Sequence, residues 1–163
     1  MSLSQKTILL IIIATGLRII FAGSIELGND EVYYITYAQK LQWNYFDHPP
    51  LVGLLIKITS LNLWLTNEIF IRLGPILLAA VDTWLIFRIG TQIKNEKAGY
   101  LAALFFTASP YTSIISGLFI MPDAPMLFFW LLSIWLLVRV FDPNISKRQS
   151  NISLLLFGLT AGL

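Results

Sequence analysis

Residues 69–93 read IFIRLGPILLAAVDTWLIFRIGTQI. This stretch decides the fold class. It carries no polar stripe at helical spacing, and it exceeds the about 20 residues a helix needs to cross the hydrocarbon core of a bilayer. Arg72, Asp82 and Arg88 are its charged residues. Comparable stretches lie on either side, at Thr7–Ser24, Ala98–Met121 and Ala124–Phe141. A further apolar run opens at Ile152 and is still apolar at Leu163, which reads as a fifth span cut short. The expected architecture is therefore all-α and polytopic, with four full transmembrane helices plus a truncated fifth over residues 1–163. It reads as the N-terminal part of a longer protein.

Composition agrees. Of the 163 residues, 56% are hydrophobic and 12% are charged, against the about 25% charge of an ordinary soluble domain. Such a chain has too little charge to cover a surface facing water on all sides. There is no cysteine, which excludes disulfides and thiolate metal sites. The net charge of +2 is spread without a basic run, so nucleic acid is not an expected partner. Arg18 interrupts the first apolar stretch and no small-residue cleavage site closes it, so that stretch reads as a retained span.

Leu51–Thr66 is apolar but too short to span, and it follows the rigid pair Pro49-Pro50. It is expected to lie in the membrane interface. The basic residues test that placement. With this segment interfacial, Lys6, Lys94, Lys97, Lys147 and Arg148 share one side, which the positive-inside rule makes cytoplasmic. The first outer loop, residues 25–68, then holds two interfacial helices. The earlier one is expected over Glu31–Trp43, capped by Asn29 or Asp30. Glu26, Asp30, Glu31, Asp47, Glu68 and Asp123 all fall outside.

Three outward constellations could carry chemistry. Asp30-Glu31 opens a helix, where a carboxylate gains about 0.3–1 kcal/mol from the helix dipole. Such a carboxylate is either a cap or a general base at the membrane surface. Asp47-His48 precedes the double proline, and oxygen with imidazole suits either a structural turn or a metal. Asp123 sits in the turn Pro122-Asp123-Ala124-Pro125, close to the membrane and on the same side as Asp30. Within the spans, Arg18 and Asp82 either pair with each other or leave Arg18 to contact a lipid phosphate, since each charge there costs about 2.5–3.5 kcal/mol.

Taken together, these residues resemble a known family. The runs Asn29-Asp30-Glu31-Val32-Tyr33-Tyr34 and Trp43-Asn44-Tyr45-Phe46-Asp47-His48-Pro49-Pro50-Leu51 are similar to the first outer loop of the GT-C membrane glycosyltransferases. Arg72-Leu73, Ser109-Pro110, Pro122-Asp123-Ala124-Pro125 and Phe128-Phe129-Trp130 follow in the family's order. The nearest branch is that of the protein O-mannosyltransferases and the lipid A aminoarabinose transferase. The resemblance implies transfer of a sugar from a polyprenyl-phosphate carrier to a glycan, lipid or protein acceptor, with inversion. The site would face outward from a membrane such as the bacterial plasma membrane. It makes Asp30 and Glu31 the catalytic pair and Asp123 the second-loop acidic residue; beside these, Asp123, Tyr34 and Arg18 are the candidate substrate contacts. Some relatives bind metal through an acidic residue at the position of Asp47 and His48, so a divalent cation is the one cofactor it raises. The competing class is a non-catalytic four-span flippase or accessory subunit for a sugar-lipid.

Overall fold

A computed structural model describes residues 1–162. The fold is helical, with no strand among the described residues. Helix α1 (Leu3–Ala22) begins in a reciprocal cap between Ser2 and Gln5. Two short helices follow, α2 (Asn29–Gln39) and α3 (Leu51–Thr59). The long α4 (Glu68–Ile93) is capped by Asn67, and α5 (Glu96–Ala108) by Asn95. Helix α6 (Asp123–Val140) and helix α7 (Lys147–Ala161) complete the described chain. α4 is the central element, packing against α1, α3, α5 and α6, while α7 leans on α6.

Three helices, α1, α4 and α6, are long and apolar enough to cross a membrane. The outer flank of α1 is a row of exposed apolar side chains, among them Ile12, Leu17, Ile20 and Phe21, as lipid contact requires. The chain is a multi-pass membrane protein. Pro75 lies inside α4 and is buried there. Its missing N–H is tolerated because the surrounding helices, not lipid, enclose that backbone.

The segment expected to form a span at Ala98–Met121 is not one continuous helix. α5 stops at Ala108, Ser109 adopts an extended conformation, and Tyr111–Ile115 form a single π turn. Pro110 is the cause: its ring drives the preceding residue out of helical geometry, and it has no N–H to continue the ladder. Helix α7 also starts earlier than the apolar run at Ile152, because Ser146 and Gln149 cap each other reciprocally.

The first outer loop departs from expectation at each helix boundary. α2 is capped by Gly28, not by Asn29 or Asp30, because Glu31 reaches back to accept the Gly28 N–H at 2.9 Å. It ends at Gln39, before Trp43, where the Tyr45 hydroxyl donates toward the Tyr37 and Lys40 carbonyls and accepts from Gln42 N. α3 ends at Thr59, because Leu61, Asn62 and Leu63 turn the chain through positive φ. Nine residues reach about 14 Å, so α3 does not cross a bilayer. Gly53 presses it onto α2: a Cβ there would meet the Tyr37 Cβ at 2.7 Å.

Candidate active site at the carboxylate end of the bundle

One buried ion pair organises this end. Glu31 and Arg72 form the one salt bridge among the described residues, with the Arg72 Nη2 to Glu31 Oε2 distance at 2.6 Å. The Arg72 Nε donates to Glu31 Oε1 at 2.8 Å, making the contact bidentate. The remaining guanidinium hydrogens go to the carbonyls of Ala22 (3.0 Å), Ile25 (2.7 Å) and Glu26 (2.9 Å). All five donors of an arginine are thereby used. Glu31 is equally committed, accepting in addition from Gly28 N and, at 3.1 Å, from Ile120 N. Four separate segments meet there: the end of α1, the start of α2, the first turns of α4 and the strand of chain leading to α6.

This arrangement divides the Asp30-Glu31 pair. Glu31 is 3% exposed and has no free lone-pair site for a substrate proton, so its expected catalytic role does not fit its surroundings. Asp30, the next residue back, is exposed and has no hydrogen-bond partner among the described residues. It lines a cleft of about 450 Å³ together with Ile25, Glu26, Asn29, Phe119 and Met121. The locked neighbour holds the free one at the cleft.

The other candidates lie around the same end. The Tyr111 hydroxyl donates to Asp123 Oδ1 at 2.6 Å. Asp47 Oδ1 accepts from the hydroxyls of Tyr37 and, at 3.1 Å, Tyr33. Tyr37 stacks on Tyr45 with ring centroids 3.6 Å apart, and His48 sits edge-on to Tyr34 at 5.7 Å. Burial raises the Tyr34 phenol above its ordinary value, and Asp30, Asp47, Tyr33 and Asp123 add to the rise. Tyr34 is therefore within electrostatic reach of three carboxylates that come from separate parts of the chain.

A scan against protein families matches residues 47–163 to the dolichyl-phosphate-mannose-protein mannosyltransferases. The chain belongs to that family. Membership supports a glycosyl-transfer role for the chain. No curated protein and no solved structure matches the chain. The family match begins at Asp47, so Asp30, Glu31 and Tyr34 lie before it and enter the site through the contacts described above.

One expectation about this mannosyltransferase-like chain needs revision. Arg18 and Asp82 are not paired: Arg18 turns to Ser113, on the π turn, and Asp82 Oδ1 is buried without a partner. The broken α5 presents a carbonyl and a hydroxyl that an unbroken helix would not offer. Asp47 and His48 supply two donor groups, and no cluster of three or more His, Cys, Asp or Glu side chains occurs among the described residues. With Asp47 Oδ1 already accepting two phenols, a cation held by these two residues would need further ligands. In the sequence, Arg72 stands out only through the resemblance, although an arginine near the start of a span itself calls for an acceptor.

The hydrogen bond from Tyr37, opposed by partial desolvation and helped by Tyr33, holds the Asp47 carboxyl below its usual range. A depressed carboxyl contributes stability that is present above its unfolded pKa and lost as pH falls through its folded pKa. Tyr37→Phe should therefore move the Asp47 titration up, toward the ordinary carboxylate value, and bring acid loosening of the loop to higher pH. Carbon-detected NMR titration of labelled aspartate checks it; an unmoved Asp47 curve would remove Tyr37 as the cause.

Proposed function

We propose that the protein transfers a glycosyl group from a polyprenyl-phosphate carrier to an acceptor hydroxyl at the outer face of the membrane, with inversion. One observation carries this reading: Asp30 stands free at a cleft while Glu31 beside it is fixed by Arg72. In this mechanism Asp30 is the base. The acceptor oxygen bonds to the anomeric carbon as the bond from that carbon to phosphate oxygen breaks. The bonding pair leaves with the lipid phosphate, and the acceptor proton passes to Asp30. Tyr34 and the Tyr111–Asp123 pair orient sugar or acceptor hydroxyls, and Glu31 acts as a positioning residue. Glycan, lipid and protein acceptors all offer the hydroxyl that this chemistry needs.

The reading requires an N-terminus in the cytoplasm, with Asp30 and Asp123 outside. Single cysteines at the two positions, in a chain that has none of its own over residues 1–163, should both label with a membrane-impermeant maleimide in intact cells. A bacterial plasma membrane is the setting in which we expect this. Labelling of one position without the other would contradict the shared outer face.

A further inference from the structure

At the end of the bundle away from the Asp30 cleft, two arginines from different helices line one pocket. Arg88 comes from α4 and Arg139 from α6, and with Thr91, Gln92, Asp142 and Ile145 they enclose about 350 Å³. Arg72, beside the cleft, and Arg88 are 16 residues apart on α4, about 24 Å along its axis. Neither Arg88 nor Arg139 makes an ion pair among the described residues. The acid in the pocket is already engaged. Asp142 Oδ2 accepts from Gln92 Nε2 at 2.9 Å, and its Oδ1 accepts from Asn144 N at 2.9 Å and Asn144 Nδ2 at 3.0 Å. The Gln92–Asp142 bond ties the loop after α6 to the end of α4, so the pocket is built while both arginines keep their charge.

Two unpaired guanidinium groups on one pocket call for an anion. The Arg139 guanidinium lies over the Trp135 ring, 5.0 Å from its centroid. Stacking fixes the plane and leaves the in-plane N–H groups to donate. A basic residue in the last turn also offsets the dipole of α6, which accounts for Arg139 taken alone. It does not account for Arg88, five residues before the end of α4, about 8 Å along the axis and beyond the turn where the dipole acts. From that depth a long cationic side chain reaches the headgroup layer of a bilayer. Lys94, Lys97, Lys147 and Arg148 follow on the adjoining segments, with Glu96 the acid among them. The local field therefore favours a negative group, and the positive-inside rule makes this face cytoplasmic.

We infer that this pocket binds the phosphate of an anionic diacyl phospholipid from the inner leaflet. Arg88 and Arg139 hold the phosphate from two helices, Thr91 and Gln92 offer further polar groups, and Ile145 supplies an apolar wall. The depth of Arg88 favours a lipid over a free phosphate ion. A zwitterionic headgroup is disfavoured because its own cation meets the two arginines. Bound there, the lipid ties α4 to α6 at the end of the bundle opposite the chemistry. The site is separate from the donor and from the transfer proposed above, and it stands or falls apart from them.

Native mass spectrometry of the purified, intact protein in neutral detergent tests it, with phosphatidylglycerol and phosphatidylcholine of the same acyl chains as probes. The protein should retain phosphatidylglycerol in preference to phosphatidylcholine. Arg88→Gln and Arg139→Gln should each weaken phosphatidylglycerol about 10- to 100-fold, the range for losing hydrogen bonds to a charged group, and leave phosphatidylcholine unchanged. Arg148→Gln removes a cation from the same face outside the pocket and should leave both lipids unchanged. If an arginine variant does not fold, Ile145→Glu decides, since it sets a carboxylate on the pocket wall from a loop residue; unaltered phosphatidylglycerol binding there overturns the inference. Equal retention of the two lipids by the parent protein overturns it, as does an equal loss in Arg148→Gln, which would mean diffuse attraction to the whole face. Inorganic phosphate displacing phosphatidylglycerol at comparable concentration would assign the pocket to a free anion and overturn the lipid.

Discussion

Asp30→Asn is expected to lower glycosyl transfer by about 10²–10⁴-fold, the range for losing a positioned general base, while expression and folding are unchanged. The substitution preserves shape, and α2 does not depend on Asp30 for its cap, which Gly28 and Glu31 form between them. Asp30 makes no hydrogen bond that asparagine could break. A purely local structural role therefore predicts near-normal turnover, and the two readings differ by orders of magnitude. The loss should fall on kcat at saturating donor, because the proton moves only as the acceptor attacks. Tyr111→Phe, which frees Asp123 from its 2.6 Å bond, should instead act mainly on KM.

The second large effect concerns folding. Arg72→Met leaves Glu31 buried without its cation and strips hydrogen bonds from the carbonyls of Ala22, Ile25 and Glu26. Breaking one side of a buried pair costs about 3–5 kcal/mol. That is a large fraction of the about 5–15 kcal/mol stability of a typical domain. The double variant Glu31→Gln with Arg72→Met should recover part of the loss, since no unpaired charge remains. Arg72→Lys should not rescue, because an ammonium group cannot reach five acceptors laid out for a planar fork. Thermal inactivation in detergent, followed through the double-mutant cycle, measures the coupling. Additive single effects would mean that the pair does not hold this end of the bundle together.

How much of this was legible in the sequence follows from range. The spans at α1, α4 and α6 are set by local apolarity, and the sequence reading finds each within a few residues of its observed bounds. The break after Ala108 was also written locally, in Ser109-Pro110, but a long apolar run masked it. The cap of α2 was misplaced because Glu31 competes with Asn29 and Asp30 for the helix start, and its reach back to Gly28 is decided by Arg72, 41 residues away. The same distance hides the difference between Asp30 and Glu31. Adjacent carboxylates look equivalent in sequence, and only the arginine on α4 shows which one is locked. The expected Arg18–Asp82 pair failed for a related reason, because the π turn around Ser113 creates an acceptor that no helical pattern reveals.

The most direct measurement follows the sugar itself. The intact protein, in membranes, is given a polyprenyl-phosphate sugar carrying carbon-13 at the anomeric carbon, and the product is read by NMR. The account predicts label on the acceptor with inverted anomeric configuration, free polyprenyl phosphate in equal amount, and neither product with Asp30→Asn. Retained configuration, or label transfer undiminished in Asp30→Asn, would contradict it.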